Sequence, residues 1–239
     1  MSEGVVSFNA DRTKVTVIHT GGMEWAPSPS PTVFRKRVSL EGPSEAGRVT
    51  SVVRYAPGSA FHEHGHPDGE EILVLSGAWE DVNGSHGAGT FMLNPFGFRH
   101  APASKDGCVL WVKLRQHGGE GRHHVRLETQ NMAWAAAGER AGVSVKALYD
   151  DETGAHKEKI RLERWEAGTS VALDVPDTTE VLVTQGRAKF VRGAEEHVLE
   201  KWSWARLPAG KAAVFSPLDD SPCEVYLKVG EWLPTMEAA

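Results

Sequence analysis

The sequence predicts an all-β protein made of two tandem domains, and three observations carry that prediction. Its 25 glycines and 13 prolines are spread along 239 residues, as a chain of many short strands requires. The second half repeats the first in an unbroken order of matched residues. Between Gly58 and His100, two short apolar runs, Ile72 to Leu75 and Phe91 to Asn94, each stop at a turn signal, Gly77 and Pro95-Phe96-Gly97.

From the N-terminus, residues 1–30 read as an arm. Pro27 to Pro31 alternates proline and serine, an extended segment with few hydrogen bonds of its own. Such arms cover the unpaired backbone of a sheet edge, so residues around Val15 to His19 are expected to pair with an edge of the other domain or of a second subunit. The first domain, 31–120, holds the Gly58 to His100 stretch. The linker, 121–142, follows a loop marked by Gly118-Gly119 and includes Gly121. Leu127 to Arg140, with Met132, Trp134 and three alanines, reads as one short helix or an extended crossover. The second domain is 143–239.

The chemistry concentrates in one pair of motifs. Gly58, His64, His66, Glu70 and Gly77 fill the spacing G-x5-H-x-H-x3-E-x6-G, and Gly89, Pro95, Gly97 and His100 fill G-x5-P-x-G-x2-H. Histidine binds metals in its neutral form, and side chains two apart, as on His64 and His66, share one face of a strand. Two strands and two turns thus deliver three imidazoles and a carboxylate at spacings that suit one metal ion.

This pattern resembles the two signature motifs of the cupin superfamily, small antiparallel β-barrels of jelly-roll type with a metal inside. Pro57-Gly58, Gly69 to Leu75, Asn94-Pro95, and the stretch from Gly107-Cys108 to Lys113-Leu114-Arg115-Gln116 are similar to the cupin module of ChrR-type anti-sigma factors and their stand-alone relatives. The resemblance implies two tandem cupin domains, the first metal-binding and the second degenerate. It implies one divalent metal ion per chain on His64, His66, Glu70 and His100. Dimerisation is expected by analogy with other cupins.

The repeat shows what the second copy has lost. Val33, Lys36, Arg54 and Gly58 fall on Val143, Lys146, Arg164 and Gly168 at an offset of 110, and Glu71, Leu73, Val74 and Gly77 on Glu180, Leu182, Val183 and Gly186 at 109. Pro95 and Gly97 then meet Pro208 and Gly210, and Cys108, Trp111 and Lys113 meet Cys223, Tyr226 and Lys228. In this register His64, His66, Glu70 and His100 are met by Asp174, Pro176, Thr179 and Ala213. The second domain is therefore expected to hold no metal of this kind.

Three histidines and one glutamate leave an octahedral ion two free positions, whereas a tetrahedral zinc would be fully occupied. Fe(II) and Zn suit this donor set, and Ni and Mn are the further candidates. The stand-alone relatives include acetylacetone-cleaving and dihydroxyacetophenone-cleaving dioxygenases. The resemblance therefore implies oxygen-dependent carbon–carbon cleavage of a diketone-like, hydroxyketone or phenolic substrate. Glu70 would be a fourth ligand or a general base. His62 could be a spare ligand or a proton shuttle, against the plainer reading of a surface histidine. Glu71 should face away from Glu70 and serve structure. His86, in the turn composition Asn83 to Gly87, is expected to face solvent, and His123 and His124 read as ordinary polar residues. Trp79, Phe91 and Phe98 are candidate pocket walls. Arg54, with a counterpart in Arg164, reads as half of a structural ion pair.

Composition limits the partners. With 26 basic against 32 acidic residues, a formal charge of −6 and no basic run beyond Arg35-Lys36-Arg37, nucleic acid is not expected. No apolar stretch approaches the roughly 18 residues of a membrane span, and Met1 to Gly4 lacks the features of a signal peptide, so a cytoplasmic protein is expected. The two cysteines fall at equivalent places in the repeat and read as buried thiols. Residues 1–30 hold one histidine, His19, and no cysteine, so the zinc module that grips a sigma factor in the full-length anti-sigma factors is not expected. The competing functional reading is a ChrR-like zinc sensor acting through a protein partner.

Overall fold

Continuous apolar runs such as Ile72-Leu73-Val74 and Leu110-Trp111-Val112 are what strands covered on both faces require, and all six of these residues are buried. The computed structural model describes residues 7–119, 121–151, 158–231 and 233; residues 1–6 of the predicted arm and 234–239 of the predicted second domain lie outside them. Among the described residues the elements are β-strands and two 3-10 turns, and none is long and apolar enough as a helix to cross a membrane. The chain divides into two units, one built on Glu24–Asn131 and the other on Asp11–Met23 with Met132–Glu231.

In the first unit the main antiparallel sheet runs Val125–Glu128, Thr90–Asn94, Glu70–Asp81, Cys108–Leu114, Arg48–Tyr55, Val33–Glu41 and Ala26–Pro27. The long strand Glu70–Asp81 then leaves this sheet, and its second half pairs with Gly84–Gly87 and touches Ala103. The short pairs Ser59–Ala60 with Ala103–Ser104, and His64–Gly65 with Arg99–His100, complete the second layer. Val33, Val53, Tyr55, Ile72, Val74, Trp79, Met92, Cys108, Leu110 and Val112 form the core. Gly77 sits where the long strand meets Gly107-Cys108: its φ is +73°, and an added Cβ would lie 2.8 Å from the Cys108 Cα. That crowding explains why this motif position, like Gly186 in the second copy, is glycine.

The second unit repeats this order with Thr16–His19, Ser203–Leu207, Thr179–Gln185, Cys223–Val229, Lys159–Trp165, Val143–Asp150 and Ala135–Ala136, and adds a four-stranded sheet. Its interior is filled. Trp165, Phe190 and Phe215 are all at 0% exposure; Phe190 stacks on Phe215 at 5.0 Å and Trp165 lies tilted against Phe215 at 5.2 Å, among buried valines and leucines.

The edge strands are exchanged along the chain. Thr16–His19 pairs with Ser203–Arg206 in the second unit, as the arm was expected to do with the other domain. The linker strand Val125–Glu128 takes the matching edge of the first unit, against Thr90–Leu93. Of the two alternatives for Leu127 to Arg140, the chain adopts the crossover: a 3-10 turn at Thr129–Asn131, then Ala135–Ala136. A helix this short is marginal in water, and here the backbone finds partners in sheet edges instead. The exchange has a sequence signature, since Thr20, Met23, Trp25 and Ala26 match Thr129, Met132, Trp134 and Ala135 at an offset of 109. Thr20 Oγ1 donates to the Trp202 carbonyl at 2.8 Å and Thr129 Oγ1 to the Gly89 carbonyl at 2.6 Å. Lys36 and Arg54 stack on Trp25, and Lys146 and Arg164 stack on Trp134 in the same way.

Candidate metal centre

Each of the four predicted ligands is placed by a turn or a strand end. The Pro95-Phe96-Gly97 turn is closed by Phe98 N donating to the Pro95 carbonyl at 3.1 Å, and it delivers His100 to a position directly across from His64. A second turn, closed by Gly69 N to the His66 carbonyl, carries the chain from His66 to Glu70, which opens the long strand opposite Asn94.

The three imidazoles converge. One ring nitrogen from each of His64, His66 and His100 lies within 4.8 Å of the others, a group that could hold a metal ion. His66 Nε2 and His100 Nε2 are 2.8 Å apart, and Glu70 Oε2 is 3.5 and 3.6 Å from them. Two nitrogens each about 2.1 Å from one ion at right angles would be about 3.0 Å apart, so the spacing fits a shared cation. His64 Nδ1 donates to the His62 carbonyl at 2.8 Å, which leaves Nε2 free to coordinate. Asn94 Nδ2 donates to Glu70 Oε2 at 3.0 Å and fixes the carboxylate.

The electrostatics favour the binding forms of the histidines. Burial, with the His64 charge beside it, holds the His66 imidazole down at about 4, and burial also lowers His100. Both are therefore neutral at physiological pH, as metal binding needs. Burial raises the Glu70 carboxyl above its ordinary value, against the pull of His100 and the Asn94 amide. The cluster opens into a cavity of about 730 Å³ lined also by Val33, Tyr55, Phe61, Trp79 and Leu110.

The fold is that of a tandem cupin. The family model of the ChrR Cupin-like domain matches residues 13–118, the span that carries the histidine cluster. Solved structures share the architecture over both domains. A Pseudomonas aeruginosa protein described as glyoxylate induced matches with a TM-score of 0.75 at 14% identity, over 97% of this chain and 96% of that one. A Nostoc punctiforme protein described as a dioxygenase gives 0.66 at 12%, over 100% and 86%. The oxalate decarboxylase of Lactobacillus farciminis gives 0.64 at 12%, over 95% and 89%. No curated protein matches the chain.

The second cupin corrects one detail of the sequence register. Leu173 pairs with Ala213 as His64 pairs with His100, and Val175 stands two residues on. Leu173 and Val175, at 4% and 2% exposure, therefore occupy the places of His64 and His66, where the sequence register put Asp174 and Pro176. The one-residue deletion thus falls between Gly168 and Leu173, ahead of the bulge that follows Leu173, a place that residue matching across a gap cannot fix.

Other predicted site residues separate clearly. His62 is exposed at the cavity wall and reaches the cluster through its carbonyl. Glu71 is fully buried opposite Lys113, as Glu180 is opposite Lys228, which fits its structural part. His86 departs from expectation: it is 4% exposed, bonded to Asp81 Oδ1 at 2.8 Å and packed on Trp79. The turn is Asn83-Gly84, and the strand after it folds His86 back opposite Trp79. His124 stacks on Phe98, whose ring meets the edge of His100. Trp79 lines the cavity, whereas Phe91 does not. Among the described residues Arg54 has no ion pair of the expected kind and lies over the Trp25 and Phe34 rings; Arg164 pairs with Glu224 at 2.7 Å.

Proposed function

We propose that this protein is a metal-dependent oxygenase, with Fe(II) on His64, His66, Glu70 and His100, that cleaves a carbon–carbon bond in a small diketone-like, hydroxyketone or phenolic substrate. One observation carries the reading: the ligand cluster opens into a cavity of about 730 Å³, room that a closed structural metal site does not need. Bound there, the ion would supply Lewis acidity and dioxygen chemistry. His64 is oriented by the His62 carbonyl, and Tyr55, Phe61, Trp79 and Leu110 give the cavity apolar walls. Glu70 serves as the fourth ligand or, if it leaves the ion when substrate binds, as the general base that takes an acidic proton from a diketone. The fold shared with a protein described as a dioxygenase supports this reading. We include a homodimer and a small-molecule partner in the proposal.

The match to the ChrR Cupin-like domain favours a second reading, a zinc-holding regulatory module that acts through another protein. Oxygen uptake separates the two. Fe(II)-loaded protein given pentane-2,4-dione under air is expected to consume oxygen, and the His64→Ala variant to lose that activity while remaining folded. No uptake with diketones, hydroxyketones or phenols, together with tightly held zinc, would leave the regulatory reading.

A further inference from the structure

The depth of the cavity carries charge only at its metal end. Among the described residues that line it, the buried ones are apolar, Val33, Val53, Tyr55, Trp79, Leu110 and Val112 among them, except for Glu70 and His100. Tyr55 and Trp79 have polar tips, but an indole N–H bears no charge and burial pushes the Tyr55 hydroxyl up, so both are neutral. Phe61 meets the edge of the His64 ring with centroids 5.8 Å apart, and Tyr55 meets the edge of Phe61 at the same distance. Val53 stands two residues before Tyr55 on the same strand face and pairs with Leu110. An apolar path thus runs from the metal ligands to Val53 and Leu110.

The charges along the rest of the lining are engaged with one another. Arg35 donates through Nη1 and Nη2 to Glu45, both at 2.9 Å, and Nη2 also reaches the Pro27 carbonyl at 3.5 Å. Glu63 accepts from Arg99 Nε at 2.9 Å, and Arg115 is directed to Asp68 at 3.5 Å. In all, the lining holds three carboxylates, Glu45, Glu63 and Glu70, against two guanidiniums, Arg35 and Arg115. An anionic tail would meet no uncommitted guanidinium here, and burying it unpaired is costly. A methylene laid against the apolar walls instead gains about fourfold in affinity.

We propose that the ligand of this cavity is a molecule with an oxygen pair at the metal end and an uncharged apolar tail that lies along Phe61, Tyr55, Val53 and Leu110. The oxygen pair rests on the oxygenase reading above; the neutral tail rests on the cavity walls alone. Selection is two-sided, because the walls favour methylenes and the acidic lining rejects a carboxylate on a tail of the same length.

Calorimetric binding to the nickel-loaded full chain under nitrogen tests it, since nickel suits the donor set and keeps coordination positions open. Nonane-2,4-dione, with four more methylenes than pentane-2,4-dione, is expected to bind at least tenfold tighter. It should also bind at least tenfold tighter than 6,8-dioxononanoate, in which a carboxylate replaces the terminal methyl. Leu110→Phe fills the path and should remove most of the chain-length gain, with nickel content and pentane-2,4-dione binding unchanged; Val53→Phe, across the strand pair, takes its place if that variant fails to fold. Less than tenfold discrimination in either comparison overturns the proposal. So does a chain-length gain that both variants leave intact, because the tail would then lie elsewhere. Octan-1-ol against butan-1-ol, in the same protein, reads the tail without the oxygen pair. If neither diketone binds while the longer alcohol is preferred at least tenfold, the oxygenase reading fails and the neutral apolar site stands; if neither diketones nor alcohols bind, the proposal fails.

Discussion

Replacing Thr20 by valine tests the strand exchange, because Thr20 precedes the first cupin in sequence yet its side chain belongs to the second. Thr20 is 1% exposed and its Oγ1 donates to the Trp202 carbonyl at 2.8 Å. Valine keeps the shape and removes the donor, which costs about 1–2 kcal/mol for a buried carbonyl left short of a partner. For a unit of about 110 residues the unfolding entropy is about 0.23 kcal/mol/K, so the second cupin should melt about 4–9 °C lower. Melting of both units in one transition would halve the shift. Differential calorimetry with and without added zinc identifies the units, since metal is expected to raise the transition of the first cupin alone. Thr129→Val, which removes the bond to the Gly89 carbonyl, is the mirror experiment and should lower the first cupin's transition. A Thr20→Val shift confined to the metal-sensitive transition, or one below about 1 °C, would refute the exchange.

Three further outcomes are expected. Asn94→Leu removes the amide that holds Glu70 and should weaken metal binding about 10–100-fold in a chelator competition. Burial pushes the Asp81 carboxyl up, but the hydrogen bonds from His86 and Asn83 outweigh it and hold it below 3.8. A depressed folded value contributes stability above the unfolded value and loses it as pH falls through the folded one. The first cupin should therefore lose stability below about pH 4, and Asp81→Asn should be less stable at neutral pH with a flatter acid limb in urea titrations. Cys108 and Cys223 are free and buried, with thiols pushed up to about 11 and about 12. A thiol reagent at pH 8 should leave both untouched in the native protein and label both after denaturation.

The histidine cluster was legible because sharing one cation would constrain sequence tightly: His64, His66 and His100, with Glu70 beside them, leave short strands and turns at fixed spacings, and these survive as a pattern. The duplication was legible for a similar reason, since Gly77 and Gly186 answer the same crowding. The exchanged arms also had a signal, Thr20, Met23, Trp25 and Ala26 against Thr129, Met132, Trp134 and Ala135, but it lies outside the domains the longer matches define. His86 was misread because turn composition marks Asn83-Gly84 and says nothing of where the returning strand places the next side chain. The Leu173 and Val175 register was hidden because residue matching cannot place the one-residue deletion between Gly168 and Leu173, and the stacking of Arg54 on Trp25 depends on the arm strand beside it. Pairing that is remote in sequence, or set by a backbone irregularity, leaves no local periodicity to read.

Metal content per chain, by elemental mass spectrometry after loading and desalting, decides between one working centre and any other arrangement. One equivalent in the wild type, lost in His66→Ala and kept when Leu173 is changed to alanine, is the expected result. Two equivalents, or one that survives the loss of His66, would contradict a single centre built by the first cupin.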